Sequence, residues 1–273
     1  MQNGVYGGEA MSISSEAGSR ADAASGILQR SAILLYGLLA YAAFFIVIVY
    51  LIGFVTDMFV PVSVDRGPES HVVLAIIVNL GLIATFAVQH TIMARPGFKQ
   101  WFTRYIPESA ERSSFVLLAS LILAALCFFW QPIPGIVWQV ESTLAAAVLW
   151  TICGAGWLLL FASSYMIDHY DLFGLRQVWL QFQQKEYTFP EFVTRGAYKL
   201  VRHPLMLGVL MGVWAIPTMT YGHLLLACGF TAYILVGTWF EERDLVRMLG
   251  EKYGAYQRAV PKLIPWFGKT DKQ

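Results

Sequence analysis

Charge is scarce in this chain. Asp, Glu, Lys and Arg make up 14% of its 273 residues, against roughly 25% in soluble domains. The net charge is +1, so no basic field exists to hold nucleic acid. Cysteine is scarcer still. Cys127, Cys153 and Cys228 are scattered through apolar stretches without a C-x-x-C pair, which argues against a disulfide framework or a zinc site and leaves them as small buried hydrophobes. Neither a hydrolase triad nor a phosphate loop is visible. Gly154-Ala155-Gly156 begins like a dinucleotide fingerprint, but it lacks the preceding strand and the third Gly and reads as helix packing. Nothing points to an obligate protein partner.

Hydrophobicity takes the place of charge: 57% of residues are hydrophobic, and nine are Trp. Crossing the hydrocarbon core takes about 20 apolar residues as a helix. Four segments meet that length closely, at 32–55, 72–94, 114–130 and 143–167. A fifth run, 205–240, is too long for one straight span and is interrupted at Pro217-Thr218-Met219-Thr220-Tyr221-Gly222. It reads as a hairpin with a short first arm, on which Gly208 and Gly212 allow another helix to come close. The fold class is therefore all-α: a polytopic membrane bundle of four spans, a C-terminal transmembrane hairpin and an amphipathic tail. Residues 1–31, rich in Gly, Ser and Ala, read as a flexible tail, and 32–273 as one membrane domain. With six crossings drawn, 18 of the 19 Lys and Arg fall on one side, which predicts both termini in the cytosol.

The few charges present are clustered. Tyr198-Lys199-Leu200-Val201-Arg202-His203-Pro204 opens the hairpin and Glu241-Glu242 closes it. A hairpin brings its ends together, so Arg202 is expected near the paired carboxylates in a compact polar pocket suited to a zwitterionic ligand. Pro204 alone would fit a helix start at a charged boundary. A second cluster, Asp168, His169, Asp171 and Arg176, directly follows the fourth span. Single charges there would read as snorkelling ends, whereas a carboxylate beside an imidazole holds its tautomer and raises its basicity. His71 and His223 read as interfacial. His90, one turn before the end of the second span, either lines a polar cavity or hydrogen-bonds to a neighbouring helix.

Arg202-His203-Pro204, Gly208, Glu241-Glu242, Gly250, Tyr253, Tyr256, Val260-Pro261 and Pro265 together resemble, in order and spacing, the isoprenylcysteine carboxyl methyltransferase superfamily of membrane enzymes. Met206 departs from the pattern, standing where that superfamily usually has Tyr. Met93-Ala94-Arg95-Pro96, the 168–179 segment and Tyr233–Gly237 are similar, within it, to the bacterial methanethiol S-methyltransferases.

The resemblance implies a bacterial inner-membrane enzyme that uses S-adenosylmethionine to methylate a small volatile thiol, methanethiol, leaving S-adenosylhomocysteine and dimethyl sulfide. It implies a cofactor-binding part over 198–265, with contacts from Tyr198, Arg202, His203, Pro204, Gly208, Glu241 and Glu242. An alkyl thiol is at least as weak an acid as cysteine, at about 8.5, so a base is expected. His169, oriented by Asp168 or Asp171, suits that role; His203 is its rival, and Arg176 could instead stabilise a thiolate. Two other readings stay open. One is a methyltransferase for a lipid amine or prenylated cysteine; the other is a transporter or haem-bearing protein using His90 and His169.

Overall fold

The computed structural model describes residues 6–265, with side chains from Gly26 onward. Helix α1 runs Tyr6–Thr56 and is apolar enough to cross a membrane from Gly26. The tail expected over 1–31 falls mostly outside the described side chains; residues 26–31 already belong to the helix, where Arg30 Nε donates to the Gly26 carbonyl. Four further helices have the length and apolarity of spans: α2 (Val72–Met93), α4 (Glu108–Phe129), α5 (Thr143–Ile167) and α9 (Tyr221–Leu249). Short α3 (Pro96–Phe102) lies between α2 and α4. After α5 come α6 (His169–Leu172), α7 (Leu175–Phe182), a 3-10 turn at Gly196–Lys199 and α8 (Pro204–Trp214). Helix α10 (Glu251–Ala259) follows α9. The protein is a multi-pass membrane helical bundle.

The helix ends follow their residues. Pro96 and Pro204 occupy the first turns of α3 and α8, where a missing N–H is harmless. Ser142 and Thr220 cap α5 and α9 by accepting from Ala145 N and His223 N, as hydroxyl caps do. His71 proves to be a cap too, its Nδ1 accepting from Val73 N. His223, expected at an interface, is instead buried and bonded through Nε2 to the Val213 carbonyl at 2.8 Å.

Phe54, Leu126, Trp130, Trp157, Leu226 and Phe230 form the centre of the core. Outward-facing Ile46, Ile77 and Leu158 remain exposed, as expected of surfaces solvated by lipid. Cys127 and Cys153 are buried, but Cys228 is on the exposed side of α9, so only two of the three cysteines serve as core.

The hairpin explains its own short arm. An 11-residue α8 rises only ~16 Å, about half of the ~30 Å hydrocarbon core. From Ala215 the chain continues extended, adding up to ~20 Å by Thr220. Its backbone is satisfied by β2 (Thr218–Thr220) pairing antiparallel with β1 (Ile136–Gln139), in the loop between α4 and α5. The Trp138 indole adds a bond to the Ile216 carbonyl. Irregular backbone near membrane depth persists only where protein covers it, and β1 is that cover.

Helix α8 lies against α5 through glycines. A Cβ on Gly208 would come within 2.5 Å of the Gly156 carbonyl, and one on Gly212 within 2.6 Å of the Trp157 ring. Gly156 is therefore a packing glycine, while Gly154 meets nothing within 4 Å. At the other end, α9 passes unbroken through Glu241 and Glu242 to Leu249, so the tail begins later than the charge pair implied. Gly250, at φ +58°, ends α9 in a conformation costly for other residues. The turn folds α10 back, burying Tyr253.

Candidate active site

The two ends of the hairpin meet. The chain before α8 is pinned to the segment after α10 by Arg202 N to Pro261 O at 2.9 Å and His203 N to Lys262 O at 3.1 Å. Glu242, one turn past the apolar part of α9, then becomes the hub. It accepts from Arg202 Nε at 2.7 Å and Nη2 at 3.2 Å, from Gln257 Nε2 at 3.2 Å, and pairs with His203 Nε2 at 2.9 Å. Arg202 Nη1 also donates to the carbonyls of Gln257 and Val260. A guanidinium has five N–H donors, so Arg202 has one left. Its place is that of a clamp between hairpin and tail, with little capacity to bind a ligand anion.

Glu241 contrasts with its neighbour. Its side chain is 49% exposed, and His203 Nδ1 lies 3.6 Å from its carboxylate. Its field extends over Tyr198, Tyr233 and Arg112. Burial first, and the Glu241 carboxylate second, push the Tyr198 phenol above its ordinary value. The Tyr256 hydroxyl donates to the Tyr198 carbonyl at 2.6 Å. Tyr198, Arg202, His203, Pro204, Glu241 and Glu242 are thus brought together. Gly208 is not; it is spent on the crossing with α5.

The second cluster is arranged differently from the sequence expectation. His169 is buried, with Nε2 at 2.8 Å from the Tyr41 hydroxyl and Nδ1 at 2.8 Å from the Ser164 hydroxyl. Its ring stacks on Tyr165 at 4.1 Å. Neither aspartate orients it. Asp168 caps α6 by accepting from Asp171 N, and Asp171 accepts from Arg176 at 3.1 Å and from the Tyr187 hydroxyl at 2.9 Å. Burial lowers the His169 pKa, with Asp168 opposing weakly. The Tyr187 phenol is pushed up to about 12, by burial first and then by its bond to Asp171. Asp171 and Arg176 hold α6, α7 and the following loop together.

Beside this cluster opens a cavity of about 1060 Å³, lined among others by Lys99, Glu111, Arg112, Asp171, Gln177 and Tyr187. Glu111 Oε1, Ser109 Oγ and Gln177 Oε1 are buried there without a partner among the described residues. Arg112 is the residue that sequence reasoning missed. It stood among the Lys and Arg of the loop between the second and third spans. Its Nε donates to the Leu172 carbonyl at 2.6 Å, its guanidinium lies 4.9 Å from the Phe115 ring centre, and no carboxylate among the described residues comes within 4.0 Å. His90 meets neither alternative left open for it cleanly. Among the described residues it makes no hydrogen bond to another helix, and its Nδ1 is buried without a partner among Phe86, Phe115 and Tyr233. Among the described residues, no group of three or more His, Cys, Asp or Glu could hold a metal ion.

Comparison with known proteins gives consistent matches. Residues 78–265 match the family model described as NnrU protein. The chain is 51% identical over 236 residues to methanethiol S-methyltransferase 2 of Bradyrhizobium diazoefficiens, covering 86% of this chain and 91% of that one. It is 46% identical to the methanethiol S-methyltransferase of Mycobacterium tuberculosis, covering 88% and 98%. Nurim of Bos taurus is 26% identical over 65% of this chain and 70% of its own. No solved structure matches.

Proposed function

The chain belongs to the NnrU protein family, alongside the methanethiol S-methyltransferases, and we propose that it methylates methanethiol to dimethyl sulfide at the cytosolic end of its bundle. The donor is S-adenosylmethionine, which supplies a methyl group on a cationic sulfur and leaves as S-adenosylhomocysteine. The observation that carries this reading is the pairing, at the hairpin base, of a saturated ionic hub on Glu242 with an unsaturated carboxylate on Glu241.

The donor set suits such a cofactor. Glu241 offers a negative charge without a close ion pair, fitting the sulfonium and amino cations. His203 and Tyr198 border it and offer polar contacts to hydroxyls. Arg202 and Glu242 position His203, because a ring bonded at Nε2 to a clamped carboxylate keeps Nδ1 turned toward Glu241. Pro204 starts α8 at that point, so the histidine is fixed where helix begins. A thiolate and a sulfonium lose their charges as they react, and a site that excludes water favours this over bulk solvent.

A small acceptor fits the interior better than a lipid chain. Trp157 is buried at the α5–α8 crossing, and Trp150, Phe161 and Trp214 pack against the same core, filling the space a lipid groove would need. A haem ligand role is disfavoured for His169, since both its nitrogens are bonded to hydroxyls. Methanethiol is apolar and can arrive through the bilayer.

The test is a membrane assay with S-adenosylmethionine and a panel of volatile thiols, read by headspace detection of sulfides. Dimethyl sulfide from methanethiol, and little product from prenylated cysteine or lipid amines, is the expected result. Product only from a long-chain acceptor would overturn the reading. Both termini lie in the cytosol in this account, which reporter fusions at the C-terminus and at residue 135 test by reporting opposite sides.

A further inference from the structure

We propose that His90 is the catalytic base, and that the acceptor thiol binds against it in a chamber walled by Phe86, Phe115 and Tyr233 beside the Arg112 guanidinium. This deepens the methyltransferase reading and rests on it.

The geometry is specific. The His90 ring centre is 4.7 Å from Phe115, 5.4 Å from Phe86 and 5.9 Å from Tyr233. Its Nδ1 is buried and has no partner among the described residues. Buried polar atoms are nearly always bonded, and an exception calls for a role. A small alkyl thiol answers it: the S–H reaches an imidazole nitrogen while sulfur and methyl rest on aromatic faces, a contact sulfur favours. His169 offers no such opening.

Arg112 supplies the field. It shares the Phe115 ring with His90, its guanidinium lying 4.9 Å from the ring centre. Among the described residues only its Nε is hydrogen-bonded, to Leu172 O, and Arg112 lines the polar cavity. A nearby positive charge favours the anionic form of a thiol. The other charges around the chamber are engaged or more distant. Glu111 on α4 faces Lys99 at 4.0 Å, Arg95 is paired with Asp244 at 2.7 Å, and Glu241 on α9 extends its field to both Tyr233 and Arg112. Glu241 also borders the proposed cofactor position, so the chamber adjoins the place where the methyl group is presented.

The thiol proton passes to His90, and the sulfur electron pair forms the new S–C bond. The donor's C–S bond breaks, with its pair staying on the donor sulfur. His90 then releases its proton to water.

The experiment uses the full chain in nanodiscs, comparing wild type with His90→Gln, His169→Gln, Arg112→Gln and Arg112→Lys. S-adenosylhomocysteine binding is measured by calorimetry, and dimethyl sulfide formation at saturating S-adenosylmethionine from pH 6 to 10. Ring-labelled histidine NMR of the S-adenosylhomocysteine complex, with and without ethanethiol, gives a readout without turnover. His90→Gln should bind S-adenosylhomocysteine normally, lose roughly 10²- to 10⁴-fold in rate at neutral pH, and recover in alkali as thiolate forms unaided. The NMR signal absent from His90→Gln should be the one that ethanethiol moves. Arg112→Gln should shift the rise in rate to higher pH, and Arg112→Lys should restore much of it. A wild-type rate and pH profile in His90→Gln, or loss of S-adenosylhomocysteine binding there, overturns the assignment while leaving the methyltransferase reading intact. A wild type inactive on methanethiol overturns both.

Discussion

Two polar regions of the bundle are built in opposite ways. At the hairpin base Glu242 makes four polar contacts, to Arg202, His203 and Gln257, and Arg202 uses four of its five donors. Among the described residues between α2, α4 and α9, His90 Nδ1 has no partner and Arg112 has no counter-ion within 4.0 Å. A saturated network resists change and holds geometry; unsaturated groups have bonding capacity to give a ligand. Motif charges and chemical charges need not be the same residues. Glu241, unsaturated and adjacent to the saturated hub, is where the two regions meet.

This contrast is most sharply tested by breaking the saturated side. Glu242→Gln leaves the Arg202 charge without its carboxylate in a setting where both side chains are only 11% exposed. Removing one partner of such a pair costs about 3–5 kcal/mol. Thermal unfolding in detergent should show a large drop, with release of the 253–263 segment to proteolysis. A variant as stable as wild type would mean that the hub is not structural. Gly208→Leu comes next: its side chain must displace the Gly156 carbonyl or Leu160 backbone. Overpacking of this kind costs about 1–3 kcal/mol, and the same unfolding assay reads it. Stability equal to wild type would show that α5 and α8 can separate freely.

The unsaturated side should respond in function rather than stability. Glu241→Gln should leave unfolding nearly unchanged and weaken S-adenosylhomocysteine binding by about ten- to a hundred-fold, as expected for losing a charged hydrogen-bond partner worth ~1.5–3 kcal/mol. Calorimetry decides it, and equal affinity would move the cofactor elsewhere. The smallest expected effect belongs to His169. Its folded pKa is lowered by burial, so between that value and about 6.5 the unfolded chain binds more protons. Stability from this group is therefore full above pH ~6.5 and declines as the pH falls below it. Unfolding measured from pH 7.5 to 5 should slope less in His169→Gln than in wild type. An unchanged slope would mean that His169 does not titrate differently on folding.

The sequence made the large features readable because membrane spans are written in local hydropathy. The span from Thr143 to Ile167 and the break at Pro217 needed no tertiary information, and a hairpin necessarily brings His203 near Glu242. What could not be read depends on distant partners. Tyr41 reaches His169 across 128 residues, displacing the aspartates that lie beside it in sequence. Gly208 looks identical whether it faces a cofactor or the carbonyl of Gly156. Strand β1 pairs with the extended chain after the short α8, a relation between two segments some 80 residues apart. Arg112 was hidden by its setting, since one guanidinium at a basic membrane boundary looks like any other until its missing counter-ion is seen.

The most direct measurement of the central claim supplies membranes containing the full chain with S-adenosylmethionine deuterated in its methyl group, together with unlabelled methanethiol, and weighs the dimethyl sulfide in the headspace. Sulfide carrying one deuterated methyl should be formed by wild type and be much reduced in Glu241→Gln. Unlabelled sulfide, or no sulfide from membranes in which the folded protein is abundant, would contradict it.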